Sequence, residues 1–488
     1  MFPLIQKYKY VILISIIYFT LRIVGLGYDH TNNDSVRWHN RTDSFLEAIK
    51  SGDFENTYQR YHPGVTLMWL GIIPRQIFYL YQYNFSLEKV DIYSYINFPV
   101  TNFLSKISII CAIYIVLMFQ VYFVNKLWGE KVSLIYFFLI SVEPYFIGIN
   151  RWFHLTSLEV VLSFAAILSL LVFLKVKHKI YFVISAIFFA FSVLTKVTSL
   201  ILFPVIFMIL VNYYLKTKDL KVFIYYVLIY IFTIFISFPA LWVNPYGVSL
   251  DIIESIFNAV GQDIRVTQLS PFLNNFFYLV VLPFKLSEIT LILLCVFVFN
   301  LRSLLNKFNN LVIFLVFLVY IVFLSVSDQK IDRYSLVFFS PIILYISLHL
   351  ANLKSKILGV IIFIYISMAF INYLQFGSTI SAFYNRVLGG TSAALVTGVY
   401  ENGGNYLAEA AFFMNKNFQN ESVYVPNNYE AFSYFYSGKS ERSKTLYTKY
   451  VVNSLDIDRI TFNNYGCLEK IAEFGPLDYP VVGIFKCN

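Results

Sequence analysis

Between Gly27 and Gly71 the chain reads GYDHTNNDSVRWHNRTDSFLEAIKSGDFENTYQRYHPGVTLMWLG, and the carboxylates Asp29, Asp34, Asp43, Glu47, Asp53 and Glu55 stand there among Arg37, Arg41, His30 and His39. A carboxylate that faces a cleft can act as general base on an acceptor hydroxyl or amine. Phe45, Leu46 and Ile49 at helical spacing make Asp43, Glu47 and Lys50 the wet face of a helix, which removes part of that set from consideration. Asp34 precedes this helix and stays a candidate base. Three short segments carry cations that could hold an anion: Arg151 and His154 in NRWFHLTS, Lys196 in LTKVTS and Arg333 in SDQKIDRYSL. Glu143 in SVEPYF is an ionisable group inside an apolar run, where function is the default reading and Lys196 or Arg151 would be its partner. His30, His39 and His62 could join carboxylates around a divalent ion, although their spacing fits no standard metal motif.

The elements that must position these groups are membrane helices. Of 488 residues, 58% are apolar or aromatic and 13% charged, and the mean hydropathy is +0.66. A soluble domain carries about 25% charged residues, so this chain cannot cover its cores with polar surface. Eleven apolar runs approach the roughly 20 residues that a bilayer core requires. They lie near Tyr8–Leu26, Phe103–Val124, Val132–Ile149, Ser157–Leu174, Ile180–Leu194, Val197–Leu215, Val222–Leu241, Ile289–Leu301, Leu311–Val326, Leu336–Ala351 and Ile357–Gln375. The first reads as an uncleaved helix, because no small-residue cleavage site follows it.

With the N-terminus cytoplasmic, the inner turns hold Lys7, Lys9, Lys126, Lys131, Lys175, Lys177, Lys179, Lys216, Lys218, Lys221, Arg302, Lys307, Lys354 and Lys356 against Glu130 and Asp219. That is the positive-inside pattern, and it accounts for most of the net charge of +9 without nucleic acid. Arg151, Lys196 and Arg333 then fall at short outer turns, where the rule does not put them. A snorkelling side chain explains any one of them, but three on one face point to an anionic lipid phosphate.

The outer segments are 27–102, 242–288 and the tail from 376. The tail reads as a separate small α/β domain: SVYVP near Val423 and YPVVGIFK near Val482 have strand composition, and NYLAEAAFFMNKN from Asn405 has helical periodicity. Cys467 and Cys487 lie in it, either paired in an oxidising compartment or as two free thiols. No GxxxxGK[ST], HExxH or GxSxG motif occurs, so nucleotide hydrolysis and a zinc site lack sequence support.

The order of several patches resembles glycosyltransferase family 39, the membrane transferases related to protein O-mannosyltransferases and the aminoarabinose transferase of lipid A. The patches are the loop from Asp34 through RWHNRTDSFLEAIKSGDFENTYQRYHPGVTLMWLG, then SVEPYFIGINRWFHLTSLEVVLSF, LTKVTSLILFP, FPALWVNP, KIDRYSLVFFSPI and RVLGGTSAALVTGVYENGGNYLAEAAFFMN. The resemblance implies the GT-C fold and transfer of a sugar, with inversion, from a polyprenyl-phosphate donor on the outer face. It implies Asp34 as catalytic base and Lys196 and Arg333 at the donor phosphate, where Arg151 is a third candidate from its position alone. The family's acidic pair is reduced here to Asp34 followed by Ser35, and the acid that often follows His-Leu is replaced by Thr156, which leaves Glu143 as the substitute second carboxylate. His62, His154, Trp38 and Tyr334 are candidates for contacting sugar or acceptor.

The expected protein is thus an α-helical polytopic membrane enzyme of the inner membrane. Residues 1–375 form the GT-C transmembrane catalytic domain with outer loop 27–102, and 376–488 an extracytoplasmic domain. Its partners are a polyprenyl-phosphate sugar, a lipid, glycan or protein acceptor, and the membrane. No cofactor is required, although a divalent metal is compatible. A phosphate leaving group needs no general acid, so one carboxylate and two or three cations suffice. The rival readings are a transporter or flippase of lipid-linked sugars, which calls for paired ionisable groups or broken helices at mid-membrane depth, an inert scaffold with a binding tail, and an O-antigen ligase or polymerase.

Overall fold

The computed structural model describes residues 2–85, 91–260, 269–300, 305–327, 329–454, 466–467 and 469–487. Arg302 and the end of the run at Leu301 lie outside the described residues.

Each of the eleven apolar runs is helical. The longest run, Phe103–Val124, lies inside a longer helix, α4 (Phe98–Trp128), of 31 residues. Among the described residues, six helical stretches are both long and apolar enough to cross a membrane by length and composition: α4, α7 (Leu155–Val176), Val197–Thr217, Phe308–Val326, Asp332–Leu350 and Ser355–Ala382. A seventh results if α5 (Glu130–Val142) and α6 (Pro144–Asn150), bent by 68° at Glu143, form one span. Pro144 opens α6 and has no N–H to continue the helix of α5, which explains the break. Shorter apolar helices are α8 (Lys179–Thr195), Lys221–Ser237 and Glu288–Asn300, so these criteria do not reach the expected count of eleven.

Packing follows composition. The helix α7 is apolar all round and is buried along its length, as a helix without a polar face must be. It packs most extensively against α8 and α4. The outermost helices expose the side chains that lipid would cover, such as Ile231, Phe232 and Phe235 on Lys221–Ser237 and Phe363, Phe370 and Leu374 on Ser355–Phe376.

The segment 27–102 is not a loop. Following α1 (Phe2–Ile23), it folds into α2 (Asn33–Ser51) and α3 (Val65–Phe85). The expected wet face of α2 holds for Glu47 and Lys50 but not for Asp43, which is half-buried and accepts from Arg75 Nε at 2.6 Å and from the Tyr93 hydroxyl. Arg75 itself is buried, so its charge needs that carboxylate.

The C-terminal part holds one five-stranded sheet in the order β2-β1-β3-β5-β4, with β1 Ser422–Tyr424, β2 Lys439–Glu441, β3 Tyr450–Ser454, β4 Glu469–Phe474 and β5 Val482–Lys486. Strand β1 is parallel to β2 and β3, and β5 is antiparallel to β3 and β4. The expected strands are β1 and β5, and the expected helix is Leu407–Asn417. Strands β2, β3 and β4 carry Lys, Glu, Asn and Ser and gave no alternating signal. Cys467 and Cys487 are joined as a disulfide.

Candidate active site

A cavity of about 380 Å3 opens where the start of α2, the turn before α7, the turn after α8, the segment 329–334 and the tail segment 401–403 meet. Its volume lies within the range of small-molecule sites. Leu155, the first residue of α7, lines the cavity, and the last, Val176, precedes Lys177 at the basic end. Twenty-two residues at 1.5 Å each put about 33 Å between the two, a bilayer core's thickness.

Asp34 sits in the first turn of α2, which is capped by the Asn32 side chain accepting from the Ser35 N–H at 2.7 Å. The helix N-terminus favours a carboxylate there. Arg333 Nη2 donates to Asp34 Oδ2 at 2.5 Å, and Arg37 Nη1 lies 3.4 Å from Oδ1. Burial alone would raise the Asp34 pKa, but Arg333 above all, with Arg37 and Arg41, outweighs it and holds the carboxyl at about 2, ionised throughout the neutral range.

Arg333 is held from its other side by Glu401, whose Oε1 is 3.5 Å from Nη1 and whose Oε2 accepts from the Asp332 N–H at 2.9 Å. Asp332 in turn binds buried Lys285 Nζ at 2.7 Å. Burial, and then the neighbouring Asp332, push the Glu401 pKa well above the usual carboxylate range. Arg333 Nε is buried with no protein acceptor among the described residues, a donor still available to a ligand.

Lys196 caps the end of α8 and is buried. Its Nζ lies 3.6 Å from Glu159 Oε2 and 3.6 Å above the Tyr334 ring, while Thr198 donates to the other oxygen of Glu159. Trp38 forms a wall, and Gly64 is required behind it: with φ at +62°, a Cβ there would stand 2.1 Å from the indole. Arg41 lies over that indole, its Cζ 4.4 Å from the ring centre. His62 and His154 also line the cavity, and burial, followed by the surrounding cations, drives both pKa values well below that of free imidazole, so both rings are neutral.

Asp34, Lys196, Arg333, His62, His154, Trp38 and Tyr334 are therefore brought together. Two expected residues are not. Glu143 lies at the α5–α6 bend and caps the helix that starts at Glu288, accepting from Ser287 N at 2.5 Å, Ser287 Oγ at 2.9 Å and Thr290 Oγ1 at 2.8 Å. Its oxygens are spent on these donors, so it is not the second carboxylate of the cavity. Arg151 spends its guanidinium on Asp29 Oδ2 and the Val24 carbonyl, each at 3.0 Å. Asp29 also receives Lys106 Nζ at 2.7 Å, which makes the three a buried strut instead of a phosphate site.

The three loop histidines do not converge either. His39 contacts Arg75 and stacks on Phe153, His30 contacts the Gly404 carbonyl, and His62 alone lines the cavity. Among the described residues no group of three His, Cys, Asp or Glu side chains is placed to hold a metal ion.

Charged residues around the cavity that sequence reasoning did not assign to the site include Glu159, Glu401 and Arg60, and also Arg37 and Arg41, which it named only as neighbours of the loop carboxylates. Glu159 was legible as a lone carboxylate inside an apolar span, one turn after the expected acid position at Thr156. Glu401 had no local signal, because it comes from the tail and reaches Arg333 only through the tertiary fold.

No protein-family model matches this chain, and no curated protein sequence matches it. Among solved structures, ArnT from Cupriavidus metallidurans in the apo state is similar at a TM-score of 0.54 and 12% identity, over 99% of this chain and 98% of that one. The same protein bound to undecaprenyl phosphate gives 0.53 and 11%, over 98% of each chain. The apo oligosaccharyltransferase of Archaeoglobus fulgidus gives 0.50 and 13%, over 94% of this chain and 71% of that one. At such identities the likeness is one of fold, and the expected GT-C fold is the fold of this chain over nearly its full length.

Proposed function

We propose that this GT-C chain is a multi-pass inner-membrane glycosyltransferase that moves a sugar from a polyprenyl-phosphate-linked donor to a lipid, glycan or protein acceptor at the outer face. The observation that carries the reading is the pairing of Asp34 with Arg333 inside a cavity that Lys196 also lines, at the end of α7 opposite the cluster of inner cations. The binding of undecaprenyl phosphate by the similar ArnT supports a lipid-phosphate donor.

In this reading Arg333, through Nε and the Nη2 now on Asp34, and Lys196 take the donor phosphate. When the phosphate draws Arg333 away, Asp34 loses its strongest counter-charge and its basicity rises as donor binds. It then takes the proton from the acceptor hydroxyl or amine while that atom attacks the anomeric carbon from the face opposite the phosphate. The carbon–oxygen bond to phosphate breaks with its electron pair on phosphate, and configuration inverts. The fixed cations stabilise the charge that develops there. We further propose the division at residue 375, with the N-terminus cytoplasmic and the tail outside, where the disulfide would be stable.

The test is Asp34→Asn, with sugar transfer from a polyprenyl-phosphate sugar measured in membranes at matched protein level. Loss of a positioned general base should lower turnover by about 10^2 to 10^4. Undiminished turnover would remove Asp34 from this role.

A further inference from the structure

Beside the cavity rim one helix turns an apolar face away from the rest of the described residues. The helix Pro245–Val260 starts at Asn244, whose Oδ1 accepts from the Gly247 N–H at 2.9 Å, and has Pro245 in its first position. Val248 and Ile252 on one side of it pack against the main core. About half a turn away, Tyr246, Leu250, Ile253 and Phe257 recur at the i, i+4, i+7, i+11 spacing of a single helix face. All four are exposed, Tyr246 at 76% and Phe257 at 75%. Asp251, Glu254 and Asn258 form an exposed polar edge between the two faces. A contiguous apolar stripe of this kind is unfavourable in water and calls for a second apolar medium.

The surroundings identify that medium. The apolar helix Lys221–Ser237 starts among the inner cations, so Ser237 ends it on the cavity's side of the bundle. Two indoles mark that level: Trp69 Nε1 donates to the Ser237 carbonyl at 2.9 Å and Trp242 Nε1 to the Phe235 carbonyl at 2.6 Å, and both rings are exposed. An apolar ring with a satisfied N–H suits the boundary between bilayer and water. Trp242 and Val243, both exposed, lead from the lipid-facing Ile231, Phe232 and Phe235 to the stripe, so the lipid-facing surface continues onto Pro245–Val260. The polar edge brings two acids and no cation, so burial of the stripe, not attraction to anionic headgroups, would hold the helix there.

The same helix grips the cavity rim. It lies beside the turn Phe54–Thr57: Phe54 packs edge-on against Trp242 at 5.2 Å, Asn244 Nδ2 donates to Glu55 Oε1 at 3.1 Å, and the Tyr58 hydroxyl donates to Asp251 Oδ2. From Tyr58 the chain passes directly into the cavity wall, which Tyr61 and His62 line.

We infer that Pro245–Val260 is an interfacial helix that docks its apolar stripe into the phospholipid leaflet on the cavity's side, and that through Glu55 and Tyr58 it holds the rim 54–62 at the bilayer surface. Docking requires only the membrane-spanning fold and holds whether or not the cavity transfers sugar.

Spin labels on the full-length protein in nanodiscs of zwitterionic phospholipid test the docking, with Cys111→Ser and Cys295→Ser removing the exposed thiols. Labels at Tyr246→Cys, Ile253→Cys and Phe257→Cys replace exposed side chains, and thermal midpoints equal to that of the thiol-free parent show that the fold is kept. Their relaxation by molecular oxygen against a water-soluble nickel chelate should place all three about 5–10 Å into the headgroup–acyl boundary, with Glu254→Cys shallower. Nickel access as high as at Glu254→Cys overturns the docking. Low access to both reagents, the mark of a protein contact, overturns it too and assigns the face to a second copy or another chain.

Hydrogen exchange in the same nanodiscs tests the hold on the rim. Glu55→Ala with Tyr58→Phe, which removes both polar links and leaves the Asn244 cap, should keep the label depths and speed exchange of amides 54–62 by about threefold to tenfold. Ile253→Asp with Phe257→Asp should lose the docking, read as nickel access at Tyr246→Cys, and speed the same amides. Unchanged exchange of 54–62 in both double variants overturns the hold on the rim.

Discussion

Glu401 acts on the site through another residue. It contacts Arg333 from the side away from Asp34 and is itself fixed by the Asp332 N–H and, through its own N–H, by the Tyr384 hydroxyl at 2.9 Å. In our reading it is a positioning residue that keeps Arg333 aimed into the cavity. Glu401→Ala should raise the donor KM by about 10-fold or more, the scale on which partners of ligand-binding groups act. Glu401→Gln, whose single carbonyl oxygen can keep one of the two bonds, should recover part of that loss, and the two thermal midpoints should agree within a few degrees. A uniform fall in kcat without a change in KM would argue for a merely structural role.

At the scale of elements, the segment that leads from α1 into α2 is tied to the helices by the Asp29 strut. Asp29 accepts from Lys106 on α4, from Arg151 at the α6–α7 turn and from the Gly27 N–H at 2.9 Å, while Lys106 also donates to the His30 carbonyl at 2.7 Å. Removing the acid leaves two buried cations unpaired, a loss of about 3–5 kcal/mol for a broken buried pair. Asp29→Ala should therefore lower the yield of folded protein and the thermal midpoint in detergent. The exposed carboxylate Asp53 is the control, and its replacement by Ala should shift stability by less than about 0.5 kcal/mol. Both carboxylates stand in one polar stretch of sequence, and nothing local tells the strut from the solvated group. Burial and partner choice, which are tertiary, make the difference.

For the whole molecule, acid should act through buried histidines before it acts through carboxylates. Burial lowers the pKa of His30 to about 3 and those of His39, His62 and His154 well below their unfolded value near 6.5. A depressed histidine contributes stability that is complete above the unfolded value and is lost as pH falls below it, at up to about 1.4 kcal/mol per pH unit per ring. The raised carboxyls Glu401 and Glu409 work in the opposite sense, so the informative quantity is a difference. Between pH 6.5 and 4, His30→Asn should show a shallower fall of thermal midpoint than wild type; parallel slopes would refute this. The sequence by itself determined the membrane class, the position of eleven apolar helical runs and the asymmetry of charge, because bilayer thickness and the positive-inside bias act on composition and spacing along the chain, whereas the apolar helices Val65–Phe85 and Phe277–Lys285 fell in segments read as lying between spans. It also brought seven cavity residues into view, Asp34, His154, Lys196 and Arg333 by their types and positions and His62, Trp38 and Tyr334 as candidate sugar or acceptor contacts. Only the tertiary structure decided that Glu143 caps a helix, that Arg151 holds Asp29 and that Glu159 and Glu401 complete the cavity. An ionisable group's role depends on which counter-charge lies within a few ångströms, and here most of those partners come from segments many tens of residues away in sequence.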